Sequence, residues 1–261
     1  MPSHEILTGL VMGLILVACT VATGCTETTT ESAALGEQHP KEIGTYICLL
    51  SDTVYRCTLF DDGTCEMDYI TGEGFADSVK TDYTIGTFKG VAVDSKYSLD
   101  QFANDSIYFA PDISEYVIQG VSARDFSDSQ YYKINMGKPM YLSQRGEDYW
   151  LFYPTESEGY TYGAAKTVAG GTPCEIYILG TPGEPFDGDI TISSINVKSE
   201  SVEGKVPAIF QYGCCDDLSI FAQKLRDNQK KLSVVIYDTN NKEIRNYGTT
   251  TAGYGVVSLT S

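Results

Sequence analysis

Tyr46-Ile47-Cys48-Leu49-Leu50, Ser51-Asp52-Thr53, Val54-Tyr55-Arg56-Cys57-Thr58-Leu59-Phe60, Asp61-Asp62-Gly63-Thr64 and Cys65 to Ile70 follow one another without a break. Short segments rich in apolar and β-branched residues alternate here with turn residues. Such a run reads as strand, turn, strand, turn, strand. Ser51-Asp52-Thr53 has hairpin-turn chemistry. In the second turn Gly63 tolerates a positive φ, and the Asp side chains bond their own backbone. A three-residue loop with a bulge would set Leu59 opposite Cys65. Cys57 would then lie on that same face, one diagonal step away. These linked strands decide the fold class, which is mainly β.

Further strands are predicted at Tyr83–Val93, Ser106–Ala110, Tyr116–Val121, Tyr131–Met136 and Met140–Ser143. Another lies at Tyr149–Tyr153, across the turn Arg145-Gly146-Glu147-Asp148. Short strands separated by polar turns make residues 41–155 an antiparallel barrel or sandwich. The opening hairpins resemble those of small lipocalin-like envelope domains. A small-ligand carrier in that barrel is one alternative function, and it requires a closed apolar cavity of roughly 300 Å³ or more. Residues 156–188 differ in composition, as in Gly170-Gly171-Thr172-Pro173 and Thr181-Pro182-Gly183-Glu184-Pro185. Only Glu175–Leu179 interrupts them as a strand, so they read as a Gly/Pro-rich connection.

Residues 189–261 read as a second unit, a β-sandwich-like or α+β domain. Ile190–Val197 largely alternates, and Val206–Tyr212 is a further strand. An amphipathic helix is predicted over 216–229. Asp216 or Asp217 would cap it, and Leu218, Phe221, Ala222 and Leu225 form one stripe at i, i+3, i+4 and i+7. Lys230 and Lys231 close it in accord with the helix dipole. Leu232–Tyr237, the turn Asp238-Thr239-Asn240-Asn241, Glu243–Tyr247 and Tyr254–Leu259 complete the sheet.

Upstream, Ile6 to Gly24 is almost wholly apolar or small, stops at Cys25, and gives way to Thr26-Glu27-Thr28-Thr29-Thr30-Glu31-Ser32. Ala22-Thr23-Gly24-Cys25 resembles the lipobox of prokaryotic lipoproteins, a class common on the surfaces of archaea and bacteria. Residues 1–25 are then signal peptide and lipobox, and residues 26–40 a flexible tether with a span of about 20 Å. The resemblance makes Cys25 the lipid-attachment site. Leu16-Val17-Ala18-Cys19 offers Cys19 as the alternative. The n-region departs from the pattern, with His4 and Glu5 but no Lys or Arg. An uncleaved membrane helix is the rival, since the stretch is long enough to span a bilayer. Either way residues 41–261 lie on the extracytoplasmic side, fastened to membrane lipid.

The net charge is −17, from 35 acidic and 18 basic residues. Basic residues are scattered among acidic ones, which argues against nucleic acid as a partner. Acidity of this degree serves solubility and tolerance of salt, and leans towards a salt-adapted, archaeal host. Cys48, Cys57, Cys65, Cys174, Cys214 and Cys215 follow the leader. An even count in an exported chain makes all of them disulfide candidates.

His4 and His39 are the only histidines, so the body after residue 40 has none. Ser-His-Asp and Cys-His catalysis, and His-ligated zinc or iron, are thereby excluded. No catalytic residue, metal site or cofactor is assigned. Asp61, Asp62, Glu66, Asp68, Asp187 and Asp189 leave carboxylate-dependent glycan hydrolysis as one alternative. Cys214-Cys215 leaves thiol redox chemistry as another. Tyr149, Trp150, Phe152 and Tyr153 form a strand that is either covered on both faces or docks an unknown surface ligand or protein. Asn104-Asp105-Ser106 is a glycosylation sequon. The function expected is non-catalytic: binding, or a role in cell-envelope architecture.

Overall fold

A computed structural model describes residues 40–87, 106–109, 116–118, 130–145, 147–154, 160–193 and 197–261. The leader, most of the tether, Cys19, Cys25, His4, His39 and the first two residues of the sequon lie outside the described residues. All regular structure described is strand.

The N-terminal half comprises β1 (Glu42–Leu49), β2 (Thr53–Phe60), β3 (Thr64–Thr71), β4 (Ala76–Thr87), β5 (Ser106–Phe109), β6 (Tyr116–Ile118), β7 (Gln130–Ile134), β8 (Met140–Arg145), β9 (Asp148–Pro154) and β10 (Tyr160–Val168). Its strand order is β1-β2-β3-β4-β7-β8-β9-β10, and β10 pairs back onto β1. Tyr46 meets Thr167 and Cys48 meets Ala165 in that closing ladder. The result is a closed eight-stranded antiparallel barrel, with the β5–β6 hairpin added at β10. Closure removes the exposed sheet edges that a flat meander would leave. Leu59 pairs with Cys65 and Cys57 with Met67, the register expected from the turn.

Strand alternation divides the barrel wall into two faces. Tyr46, Cys48, Cys57, Leu59, Cys65, Met67, Ile134, Met140, Leu142 and Leu151 fill the lumen. On the outside, Ile47, Val54 and Ile70 join Tyr177, Leu179, Val235 and Tyr237 in a second apolar cluster. That cluster is the junction between the barrel and the C-terminal half.

The C-terminal half holds β11 (Cys174–Gly180), β12 (Pro185–Ile192), β13 (Lys198–Lys205), β14 (Ala208–Tyr212), β15 (Leu218–Lys224), β16 (Leu232–Asp238), β17 (Glu243–Thr250) and β18 (Val256–Thr260). One sheet has the order β14-β11-β16-β17 and the other β13-β12-β15-β18. They enclose a mainly aliphatic core that includes Ile176, Ile178, Ile190, Ile220, Val234 and Ile236, with Phe186 among them. The first sheet is covered twice. Ile176 and Ile178 face the other sheet, while Tyr177 and Leu179 face the barrel wall. Every residue of β11 and of β16 is therefore buried. A strand covered on both faces reads as a continuous apolar run, as Leu232–Tyr237 does.

Two expectations are corrected. The helix over 216–229 is absent, and its centre is β15. Leu218, Ile220 and Ala222 point into the core with a period of two. The strand lies between β12 and β18 and hydrogen-bonds to both. A helix there would leave both neighbours' inner ladders unpaired. The segment 156–188, read as a connection, carries β10, β11 and the start of β12. Gly170, Gly171, Pro173, Pro182 and Gly183 occupy the short turns, while Gly163, Gly180, Pro185 and Gly188 lie within the strands.

Candidate functional site

Among the described residues the lumen is lined by a packed cluster, and one rim holds a cleft. There Tyr55, Met67, Tyr69, Val79, Met136 and Met140 border an open cleft of about 280 Å³. Met67 and Tyr69 come from the inward face of β3, and Tyr55 from β2 directly opposite Tyr69. Val79 is the partner of Met67 on β4. Met136 and Met140 flank the turn between β7 and β8. The Tyr55 ring lies 5.3 Å from that of Tyr69 and 5.0 Å from that of Tyr153. Asp77 and Lys138 supply charge at the edge.

Three thiols lie in the same lumen. Cys48, Cys57 and Cys65 are free and buried. Burial pushes the Cys48 thiol up to about 12. Burial, with the nearby Asp82 charge, does the same at Cys65. Cys57 is also raised, by burial first and by Cys65 second. All three therefore stay protonated near neutral pH. Their candidacy for disulfides is corrected by the ladder. Cys57 is diagonal to Cys65, a relation that holds Cα atoms about 7–8 Å apart, beyond the usual reach of a bridge. Between described residues a bridge joins Cys174 to Cys215, which ties β11 to the segment leading into β15 over a sequence separation of 41, and Cys214 is disulfide-bonded as well. Cys214 is not among the free thiols.

A buried ion network joins barrel to sandwich. Arg56, on the outer face of β2, lies 3.3 Å from Asp68 and 3.2 Å from Glu175. Ser78 donates to Asp68 at 2.6 Å, and Gln211 donates to Glu175 at 3.0 Å. The Tyr177 hydroxyl also donates to Glu175. Lys242 adds contacts of 2.9 Å to Glu66 and 3.6 Å to Asp68. Burial alone would lower the Arg56 pKa, but Glu175, Tyr177 and Asp68 outweigh it, and the net shift is upward. The guanidinium is thus locked in its charged form. At the rim of this junction Lys231 reaches Asp52 at 2.7 Å.

The acidic candidates scatter. Asp62 accepts from its own turn, at the Thr64 backbone N–H, 2.9 Å away. Asp61 accepts from Lys41 N–H at 2.9 Å. Glu66 and Asp68 belong to the ion network. Asp187 and Asp189 lie on the outer face of β12, beside Glu203, Ser201 and Phe221, over a shallow depression of about 490 Å³. Asp189 accepts from Ser201 there at 2.7 Å. Among the described residues no group of His, Cys, Asp and Glu is arranged to hold a metal ion. No helix among them is long and apolar enough to cross a membrane.

The aromatic strand divides between faces. Tyr149 and Tyr153 pack against the lumen cluster. Trp150 and Phe152 point outward, and Phe152 is fully buried. The middle of β9 is therefore covered on both sides. Sequence reasoning did not single out Met67, Met136 and Met140, or the Arg56 network. The methionines did leave a trace: of five in the chain, two are in the leader and all the others border this cleft.

Comparison with known proteins is silent: no family model, curated protein or solved structure matches the chain.

Proposed function

We propose that this chain is a membrane-anchored extracytoplasmic lipoprotein with a binding role, which receives its ligand at the barrel mouth. One observation carries the reading. At one rim of the barrel a cleft of about 280 Å³ is bordered by tyrosine and methionine. An apolar concavity with a few polar groups at its edge is the usual form of a small-ligand site. The opening suits a ligand that stays partly exposed, rather than one swallowed whole.

Other features support this reading. The leader and its lipobox-like cysteine imply attachment to lipid, and a two-chain anchor holds stably. The Arg56 network fixes the barrel on the sandwich, so the sandwich serves as a stand that presents the mouth. Among the described residues Asp77 is the only carboxylate bordering the cleft. Glycan hydrolysis needs two opposed carboxyl groups, so binding is favoured over that chemistry.

The test is native mass spectrometry of the full chain, extracted in detergent from its own membrane. The expected result is a lipid-modified Cys25 and a non-covalent adduct. A Val79→Trp variant fills the cleft from a strand position that is 38% exposed. It should lose the adduct and keep the lipid mass. An adduct unchanged in Val79→Trp, or a chain recovered without lipid from the soluble fraction, would refute the proposal.

A further inference from the structure

We propose that the barrel mouth binds a soft monovalent metal ion, Cu(I), through the thioether sulfurs of Met67, Met136 and Met140. This rests on the mouth being the binding surface and names the class of ligand it takes. Every methionine of the body borders this one cleft, although they come from β3, the β7–β8 turn and β8. Methionine commonly fills irregular gaps in cores. Here the gap remains, because all three side chains border a cleft that is open. Met67 and Met140 are held in the packed lumen, with exposures of 2% and 4%, so the ligand set is prepositioned.

Thioethers are neutral, soft donors that select Cu(I) over hard or borderline ions. Charge points the same way. Taking an ion out of water costs free energy that grows with the square of its charge, so an apolar mouth admits a monovalent ion far more readily than a divalent one. The rings of Tyr55 and Tyr69 border the same space, and aromatic faces attract cations. Asp77 at the rim offsets Lys138, and the net charge of −17 draws cations towards the surface.

The experiment uses the full chain in detergent, titrated anaerobically with Cu(I) against a chromogenic Cu(I) chelator. Ag(I) serves as a redox-inert second probe. One ion per chain is expected, with only sulfur around copper by X-ray absorption. Met→Leu replacements keep volume and remove the donor. Met136→Leu should weaken binding at least tenfold, and the triple Met67→Leu/Met136→Leu/Met140→Leu should abolish it with thermal unfolding little changed. The triple Cys48→Ala/Cys57→Ala/Cys65→Ala should retain binding. No Cu(I) bound at micromolar concentration, binding indifferent to the Met→Leu triple, or binding that follows the thiols would each overturn the assignment. If Cu(I) fails while Val79→Trp still removes a native organic adduct, the mouth remains the receptor and only the metal is wrong.

Discussion

The barrel lumen and the sandwich core are both β interiors of similar extent, built from opposite chemistry. The sandwich core is mainly aliphatic, with Phe186 packed on Phe210, and is clamped by Cys174–Cys215. The lumen carries tyrosine, methionine and reduced cysteine, and it opens at one rim. Packing that serves only stability converges on well-shaped aliphatic side chains, which fill space in few rotamers. Polarizable, adaptable side chains around an unfilled mouth are what a binding surface needs instead. Under the proposed binding role, the barrel is the working half and the sandwich its support.

That division requires the two halves to move as one body, and the largest predicted effect tests it. Arg56→Met leaves Asp68 and Glu175 buried without their shared cation. Removing one partner of a buried ion pair loses roughly 3–5 kcal/mol. Urea unfolding should show a loss of that size and a single transition splitting in two, barrel from sandwich. A loss below about 1 kcal/mol with one transition intact would mean the apolar cluster alone joins the halves.

The next effect separates the two cores. Cys174→Ala/Cys215→Ala should destabilise the chain by roughly 2–4 kcal/mol, because it frees a long loop in the unfolded state. A reducing agent should act in the same way on the wild type. The barrel has no bridge among its described cysteines to lose, so lumen-reporting signals should be unmoved by reductant. A reductant effect seen first in the lumen would reverse the comparison.

Alkaline pH should strike the lumen instead. Cys48 and Cys65 titrate near 12 when folded, against an ordinary value of 9.0. A raised thiol pKa favours the neutral form in the folded state. Its stabilisation is complete below pH 9 and is lost as pH rises towards 12. The loss should be on the order of 1 kcal/mol by pH 10. Cys48→Ala/Cys65→Ala should flatten that slope, as read from chemical denaturation at stepped pH. An unchanged slope would place those thiols in contact with solvent.

Much of the barrel is legible in sequence, because its hairpins are local. Asp61-Asp62-Gly63-Thr64 fixes both the turn and the Leu59–Cys65 register. The sandwich is less legible, because long-range pairing decides it. Leu218, Phe221, Ala222 and Leu225 satisfy a helical stripe, while Leu218, Ile220 and Ala222 satisfy a strand. The neighbours β12 and β18 make the choice, and neither is near in sequence. Lys224 obscured the alternation further, since it is buried at the strand end with its Nζ 2.7 Å from the Asn228 carbonyl. Turn residues hid β10 in the same way, because composition averaged over 156–188 drowns a short strand, while β11 stayed legible as Glu175–Leu179. The mouth was illegible for a related reason: Met67 lies far in sequence from Met136 and Met140, and only barrel closure brings them together.

The smallest predicted effect is also the finest probe of the two halves. Gly63 in the barrel has φ 83° and Gly183 in the sandwich has φ 76°. A Cβ added at either would meet nothing within 4 Å. Alanine at each therefore suffers only the backbone penalty of the left-handed region, about 1 kcal/mol. The two substitutions are matched in cause and size and differ only in which half they strain. If the ion network binds the halves into one cooperative unit, both should lower the same urea midpoint by the same amount. In an Arg56→Met background, Gly63→Ala should move only the barrel transition and Gly183→Ala only that of the sandwich. Equal shifts of both transitions in that background would show that the coupling does not run through Arg56.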